Sequence, residues 1–145
     1  MPSPYLLDTN TASYIIKGNV PHVRERLSRV APANVLISVI TEAELRFGVI
    51  RLPDAKRLSI LIDQFLRFIE IRAWDSTAAL KYAALRATLE REGQPMGGLD
   101  MMIAAHALAI RAVLVTSDRV FRRVEGLRHE DWCRQPSRIV TTFGR

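Results

Sequence analysis

The sequence predicts an α/β protein in which helices cover both faces of a parallel β-sheet. Four short apolar runs of strand length recur along the chain, and segments with helical patterns of roughly ten or more residues separate them. Acidic residues follow several of these runs directly. An alternation of strand and helix favours βαβ units, in which each helical connection returns the next strand parallel to the last.

The predicted strands are rich in Val, Ile, Leu or an aromatic residue, and each is too short to show helical periodicity. These features indicate buried strands. They lie at residues 5–8, 35–39, 69–74 and 112–116.

The helices after the first two strands are predicted from first-turn and capping residues. Thr9 and Asn10 begin the helix after the first strand, and Pro21 lies at a favourable first-turn position for residues 20–30. Thr41, with Glu44 three positions later, has the pattern of a capping box for the helix after the second strand.

Three more helices are predicted before the last strand. Asp54 is the expected cap of the first, whose apolar stripe consists of Leu58, Leu61, Ile62, Phe65 and Leu66. Asp75 and Ser76 begin the second, which stops at Gly93 and has an inner face formed by Ala78, Tyr82, Leu85 and Leu89. Residues 101–110 are almost entirely apolar, so the third is predicted to be buried on most sides.

The composition is that of an ordinary globular domain with a basic surface. The chain has 145 residues, of which 48% are apolar and 25% charged. We assign residues 1–133 to one domain and 134–145 to a C-terminal tail. No apolar run reaches the roughly 18 residues of a membrane span, and no signal peptide is visible, so we expect a cytoplasmic protein without a membrane partner. The single cysteine, Cys133, excludes an intrachain disulfide and a paired-cysteine zinc site.

The net charge of +6 makes a polyanionic partner plausible. Of the 21 basic residues only Lys17, Lys56 and Lys81 are lysines, and arginine is the side chain best suited to bidentate phosphate contacts. An arginine-rich proteome would produce the same bias, so composition alone leaves both explanations open.

Four acidic residues are predicted to meet at one edge of the sheet. Asp8 ends the first strand and Asp118 follows the last, while Glu44 lies about one turn into the helix after the second strand and Asp100 begins the buried helix. Sites in open parallel sheets form outside the carboxyl ends of the strands. Each acid alone could be a helix cap, but capping does not require several acids to share one edge.

Such a cluster points to a divalent cation. Two unit charges about 4 Å apart cost on the order of 4 kcal/mol at an effective dielectric constant of about 20, and a cation removes this repulsion. Carboxylate oxygens suit Mg²⁺ or Mn²⁺ rather than zinc, and such a metal activates water and stabilises charge on a scissile phosphate. Glu42 competes with Glu44 for the place on the second helix. Two residues apart on a helix they point in different directions, and spacing does not choose between them.

Several stretches, in order along the chain, resemble the PIN-domain ribonucleases, and within that family the VapC-type toxins of type II bacterial toxin–antitoxin pairs. The resemblance covers nearly all of the chain up to about Cys133. The stretches are LDTN at 7–10, SVITEAEL at 38–45, GGLDMMIAAHA at 97–107, LVTSD at 114–118, VEGL at 124–127 and EDW at 130–132.

The resemblance implies a three-layer α/β/α fold with a central twisted parallel sheet of four or five strands. It further implies a Mg²⁺-dependent endoribonuclease, with Mn²⁺ as a possible substitute, that cuts structured RNA such as tRNA and so inhibits translation and growth. A homodimer and a cognate VapB-type antitoxin are the implied partners.

The resemblance also assigns roles to residues. It selects Glu44 over Glu42, because the second acid of the family stands immediately before a leucine. Asp8, Glu44 and Asp100 become the core catalytic and metal-binding acids, and Asp118 matches a fourth position that carries Asp or Asn. Asn10 and Thr116 match polar positions that orient the carboxylates. Helix capping for Asn10 and strand-end hydrogen bonding for Thr116 are the alternatives.

Four arginines are candidates for RNA phosphate contacts, although charge on a helix is more often only a solvated face. They are Arg86, Arg119, Arg122 and Arg123. His106 lies six residues from Asp100, about 120° around a helix. We therefore interpret it as a satisfied core or interface histidine and not as a metal ligand or general base.

Other functions fit less well. A phosphatase of the haloacid-dehalogenase type also uses an acid after the first strand, but it needs a second aspartate two residues later, where this chain has Asn10. A dinucleotide-binding protein is disfavoured because no glycine-rich loop follows the first strand. A catalytically silent PIN-fold module that only binds RNA or an antitoxin is disfavoured because all four carboxylates are retained. We predict a metal-dependent endoribonuclease without a protein nucleophile or covalent intermediate.

Overall fold

A five-stranded parallel sheet forms the centre of the fold. The computed structural model describes residues 2–134, so the predicted tail lies outside the described residues apart from Arg134, and the domain boundary stays a prediction. The strand order is β3-β2-β1-β4-β5, and every neighbouring pair is parallel. The strands are β1 (Tyr5–Leu7), β2 (Val35–Ser38), β3 (Glu70–Arg72), β4 (Val113–Val115) and β5 (His129–Glu130).

Six α-helices connect these strands and cover both faces of the sheet. They are α1 (Thr9–Lys17), α2 (Pro21–Ser28), α3 (Val39–Ile50), α4 (Lys56–Phe68), α5 (Ser76–Arg91) and α6 (Gly98–Ile110). Two short 3₁₀ turns, Pro32–Asn34 and Arg119–Arg123, complete the described elements. The predicted α/β class is therefore confirmed. None of the helices in the described region is long and apolar enough to cross a membrane.

Alternation along the strands divides the core into two layers. Leu6 packs with buried residues of α5 and α6, whereas Leu7 packs with those of α1, α2 and α4. Leu114 and Val115 in β4 repeat this division. Successive side chains of a strand point to opposite faces, so a strand buried on both faces needs an unbroken apolar run. This is why residues 5–7 of β1, 35–37 of β2 and 113–115 of β4 are unbroken apolar runs.

The edge strands depart from that pattern. In β3, Glu70 and Arg72 are exposed and only Ile71 is partly buried, so the prediction of a buried strand is wrong there. The strand lies at the edge of the sheet, with β2 on one side only. The other edge strand, β5, consists of two residues and has no apolar run that could have predicted it.

The predicted cap of α3 is wrong. Ser38, the last residue of β2, is the N-cap, and its Oγ accepts a hydrogen bond from the backbone N–H of Ile40 at 3.1 Å. Thr41 is instead a buried residue inside the first turn. The helix begins earlier than predicted because the last residue of β2 supplies the capping hydroxyl.

The predicted cap of α4 is also wrong. Asp54 adopts a left-handed backbone conformation with φ of 62°, and the cap position is taken by Ala55 without a side-chain hydrogen bond. Aspartate tolerates this conformation better than most residues, so here it forms part of the turn before the helix. By contrast, the prediction for Asp75 is confirmed, since its Oδ1 accepts from the N–H of Ala78 at 3.1 Å.

Candidate functional site

The candidate site lies where the order of the strands reverses. From β1 the chain proceeds outward through β2 to β3 and then returns to β4 on the other side of β1. The carboxyl ends of β1 and β4 therefore flank a crevice, the usual place for a site in such a sheet. Asp8 directly follows β1, and Asp118 caps the 3₁₀ turn after β4.

Asp8 is a buried carboxylate with a structural role of its own. It is the N-cap of α1, where its Oδ1 accepts from the N–H of Thr11 at 2.8 Å, and it is 4% exposed. Burial raises the pKa of Asp8 above its usual range. Hydrogen bonds from Thr116 and Thr11 oppose this shift, and the negative charge of Asp118 adds to it. The carboxylate thus remains under electrostatic strain despite its hydrogen bonds.

Asp100 lies within the electrostatic reach of the other three acids. It is the third residue of α6 and is partly buried. Burial raises the pKa of Asp100, and the charges of Asp118, Glu44 and Asp8 raise it further. All three neighbouring charges that shift it are negative. The fold therefore places the four acids at one edge of the sheet, where the charges of three of them reach Asp100.

The two candidate acids on α3 have different surroundings. Glu42 Oε2 accepts from Nε and Nη2 of Arg46, both at 3.0 Å, on the helix surface. Glu44 instead accepts a 2.7 Å hydrogen bond from the hydroxyl of Thr9. Its negative charge helps to raise the pKa of Asp100. The structure thus places Glu44, and not Glu42, among the acids at the sheet edge.

Thr9, predicted at the start of the helix after β1, supports Glu44, and the sequence did not predict this contact. Its Oγ1 donates to Glu44 Oε1 at 2.7 Å. The hydroxyl oxygen of Thr41 lies 3.2 Å from Thr9 Oγ1. Thr9 directly follows Asp8, so the segment that holds one acid also holds a second. The only signal in the sequence is its place within the LDTN stretch, because Glu44 lies far along the chain.

The two polar residues predicted to support the carboxylates differ. Thr116 Oγ1 accepts from the N–H of Asp118 at 3.0 Å, and its side chain also hydrogen-bonds Asp8. It therefore joins the two acids that flank the crevice. Asn10 is exposed in the first turn of α1, and no hydrogen bond joins its side chain to an acid within residues 2–134.

The four candidate arginines fall into two pairs. Arg119 and Arg122 are exposed on the 3₁₀ turn that begins at Asp118. Arg123 donates to the backbone carbonyl of Pro95. Arg86 Nε lies 3.1 Å from Glu90 Oε1, and Arg86 also donates to the hydroxyl of Tyr82. The first pair is therefore better placed for an external phosphate than the second.

His106 is a core histidine, as predicted. It is 1% exposed, and its Nδ1 lies 2.8 Å from Ser38 Oγ. Burial lowers the pKa of the imidazole, which favours the neutral form.

The acids fit a hard divalent cation in their chemistry, although binding would require their side chains to converge. Among the described residues, no three histidine, cysteine or acidic side chains lie close enough together to hold a metal ion as they stand. The donors are all carboxylates, and the charges acting on Asp100 are uniformly negative. Oxygen ligands of this kind suit Mg²⁺ or Mn²⁺. The residues that would hold it are Asp8, Glu44, Asp100 and Asp118.

Comparisons with known proteins identify the family and the relatives of this chain. A family model described as PIN domain matches residues 5–127. The chain is 38% identical over 130 residues to the tRNA(fMet)-specific endonuclease VapC of Salmonella typhimurium, covering 89% of this chain and 98% of that protein.

Solved structures give the same picture for the fold. The chain is similar to a chain of DNA-bound VapBC from Salmonella typhimurium, with a TM-score of 0.85, 37% identity and coverage of 91% of this chain and 100% of that one. It is also similar to a chain of VapBC2 from Rickettsia felis bound to a promoter DNA fragment, with a TM-score of 0.83 and 34% identity. That match covers 88% of this chain and 98% of the other.

Proposed function

The chain belongs to the PIN domain family, among its VapC ribonucleases, and on that premise we propose that it is the toxin of a VapBC toxin–antitoxin system. Its activity is divalent-metal-dependent cleavage of RNA by Asp8, Glu44, Asp100 and Asp118. The main support is the placement of the acids: Asp8 follows β1, Asp118 follows β4, and Thr9 beside Asp8 holds Glu44. Burial raises the pKa of Asp100, and the charges of the other three acids raise it further. Like charges held near one another destabilise a fold, and carboxylates perturbed in this way concentrate at functional sites.

In the proposed site, some residues would bind the metal and others hold those ligands in place. A bound Mg²⁺ or Mn²⁺ would lower the pKa of a water molecule and offset charge on the scissile phosphate. Asp8 is held at the end of β1 by the N–H of Thr11 and by Thr116. Glu44 is held by the hydroxyl of Thr9. These hydrogen bonds hold two carboxylates from different segments, one after β1 and one on α3, and no side chain of the protein attacks the phosphate.

Exposed arginines beside the site suit an RNA substrate. Arg119 directly follows Asp118 and Arg122 lies four positions after it, and both are exposed and so accessible to RNA phosphates. Phosphate contacts supply much of the affinity of a protein for a nucleic acid and make it dependent on salt. A VapC relative is named as a tRNA(fMet)-specific endonuclease, so tRNA is the first substrate to test.

A VapB-type antitoxin and a second copy of the chain are the proposed protein partners. The similar structures are VapBC complexes. Large apolar side chains are exposed on three helices, at Phe47 and Ile50 of α3, Phe68 of α4 and Leu80 of α5. Exposed apolar surface of this kind typically becomes covered in a complex. We propose that the complex acts in the cytoplasm, where its RNA substrate is made.

The direct test is incubation of the purified protein with tRNA, with Mg²⁺ or with EDTA. We expect discrete cleavage products with Mg²⁺ and none with EDTA. An electrophoretic shift of the RNA without cleavage under either condition would instead support the catalytically silent binding module. The Asp8→Asn variant serves as the control, because asparagine can keep the N-cap of α1 while removing the charge.

A further inference from the structure

His106 is a buried polar side chain for which the proposed cleavage reaction has no use. It lies on α6, the helix that carries Asp100, and its Nδ1 is 2.8 Å from Ser38 Oγ. Ser38 is the N-cap of α3, the helix that carries Glu44. One pair of side chains therefore joins the two helices that supply two of the proposed metal ligands.

The hydrogen bonds of Ser38 determine the direction of this contact. Ser38 is fully buried, and its Oγ accepts from the N–H of Ile40 at 3.1 Å. The hydroxyl has a single hydrogen to donate, and a buried donor without an acceptor is unfavourable. The Nδ1 atom of His106 is at hydrogen-bonding distance to receive it. In this arrangement Ser38 both caps α3 and donates to α6.

This arrangement assigns the tautomer of His106. If Nδ1 accepts from Ser38, the ring proton is on Nε2, and the backbone of Ala73 is the hydrogen-bond partner that remains for it. A ring protonated at Nδ1 would leave the hydroxyl hydrogen of Ser38 without an acceptor. The neutral Nε2–H form satisfies every polar atom of the contact.

A second hydrogen bond joins the segment after β3 to α6. Trp74, next to Ala73, donates from Nε1 to the backbone carbonyl of Met102 at 2.9 Å. The segment after β3 is thus tied to α6 about one turn apart, at Met102 and at His106. With Ser38 on the other side of the ring, α6 is held between the ends of β2 and β3.

We propose that His106 is a positioning residue that, through Ser38, fixes the start of α3 against α6 and so sets the placement of Glu44 relative to Asp100. This inference rests on the proposed function. His106 lies about 9 Å along the helix from Asp100 and acts without touching the substrate. A displacement of about 1 Å at reacting groups can reduce a rate roughly 100-fold, so a small shift between these helices is sufficient.

The test compares RNA cleavage by four variants that remove or replace the contact. His106→Leu and Ser38→Ala are each expected to lower kcat by about 10- to 100-fold with KM little changed. The double variant is expected to be no slower than the slower single variant, because both changes break the same link. In His106→Asn the side-chain oxygen can accept from Ser38, so we expect partial recovery of kcat relative to His106→Leu.

A matched control separates positioning from general loss of stability. Ile103→Val removes a methylene from a residue on the same helix that is 2% exposed, and it should lower the melting temperature while leaving kcat unchanged. Wild-type kcat in folded His106→Leu, no advantage of His106→Asn over it, or multiplying losses in the double variant would each overturn the proposal.

A spectroscopic measurement tests the link without RNA. The ¹⁵N resonances of the His106 ring should show the neutral Nε2–H tautomer in the wild type and a changed Nδ1 resonance in Ser38→Ala. A ring protonated at Nδ1 in the wild type would contradict the assignment. Absence of Mg²⁺-dependent cleavage by the wild type would refute the proposed function, whereas wild-type cleavage with fully active His106 variants would refute only this inference.

Discussion

The acidic residues on the outer helix surfaces have basic neighbours, whereas those at the carboxyl edge of the sheet have acidic neighbours. On the outer surfaces of α2, α3 and α5, an arginine four positions away neutralises each of Glu25, Glu42 and Glu90, at N–O distances of 2.8, 3.0 and 3.1 Å. At the carboxyl edge of the sheet, burial raises the pKa of Asp100, and the negative charges of three other acids raise it further. The surface acids are arranged as solvated ion pairs, whereas the edge acids are arranged against electrostatic preference.

Helix capping explains only part of the second region. Asp8 accepts from the N–H of Thr11 and Asp118 from that of Val120, so both are caps. Asparagine would cap equally well and would carry no charge. Capping therefore does not explain why four of these side chains carry a negative charge. Substitutions that remove charge and keep shape can therefore separate the two regions.

The largest difference between the regions is expected in RNA cleavage. Asp8→Asn and Asp100→Asn should each reduce the rate by more than about 100-fold, because loss of a residue that merely supports a metal ligand already costs roughly 10- to 100-fold. Single-turnover cleavage of tRNA with Mg²⁺ measures the effect. Asp63→Asn, an exposed acid on α4 with a side chain 52% exposed, is the control and should cleave normally. Wild-type rates in Asp100→Asn would remove the basis for a metal site.

A pair of isosteric changes on one helix gives the sharpest contrast. Glu44→Gln should severely reduce cleavage, because it removes the charge of a proposed metal ligand that acts electrostatically on Asp100. Glu42→Gln should leave cleavage unchanged, because Glu42 pairs with Arg46 on the surface. Both proteins can be assayed at equal concentration after a check of folding by circular dichroism. Reversal of the two outcomes would show that the wrong glutamate has been placed in the site.

Removal of the Thr9 hydroxyl should have an intermediate effect. Thr9→Val keeps the shape of the side chain but loses the 2.7 Å hydrogen bond to Glu44. We expect a reduction in cleavage of about 10- to 100-fold, as for other residues that orient metal ligands. Thr9→Ser retains the donor and should restore most of the rate, as measured in the same assay. Equal rates for the valine and serine variants would argue against an orienting role.

The edge acids should also give the stability of the protein a distinctive pH dependence. The folded-state pKa values of Asp8 and Asp100 are raised, so the native state binds more protons than the unfolded state just above the ordinary pKa of 3.8. In EDTA the free energy of unfolding should therefore fall as the pH rises from about 4 through the raised values. Urea denaturation across this range measures the effect, and Asp100→Asn should remove part of the decline.

Mg²⁺ provides the complementary measurement. A cation that binds only the folded state at about 100 times its Kd would add about 2.7 kcal/mol at neutral pH. Asp100→Asn should lose most of this gain. No stabilisation of the wild type by either Mg²⁺ or Mn²⁺ would contradict the proposed metal site.

The smallest expected effect is on the surface ion pairs. Glu42→Gln should destabilise the protein by only about 0.3–0.5 kcal/mol, the usual contribution of an exposed pair four residues apart on a helix. The difference should disappear in about 1 M salt, where charges are screened within about 3 Å. Urea denaturation at low and high salt checks both statements. A loss several times larger would show that this pair is more than a solvated contact.

The parts of the fold that could be predicted are those fixed by burial on both faces of the sheet. The apolar runs of β1, β2 and β4 identify central strands, and their parallel order places the residues that follow them at a common edge. Asp8 and Asp118 were found by this argument. The two-residue strand β5 has no such run, because an edge strand of that length buries little of its own surface.

The sequence could not choose between neighbouring cap residues, nor could it reveal contacts between distant segments. Thr41 and Ser38 both have hydroxyls suited to capping, and the end of β2 determines which of them begins α3. The bond from Thr9 to Glu44 joins residues that are 35 positions apart. Short-range patterns contain no information about such a pair. The family resemblance supplied the choice of Glu44, and the structure supplied its partner.

The order of the strands also affects how the protein is made. The central ladder of the sheet pairs Leu7 of β1 with Val115 of β4, so its two strands are synthesised at well-separated times. Until β4 has been translated, β1 lacks one neighbour and Asp118 does not exist. We therefore expect nascent chains and N-terminal fragments that end before residue 100 to have two of the four acids and no ability to cut RNA. The proposed set of four acids is therefore assembled only after residue 118 has been translated.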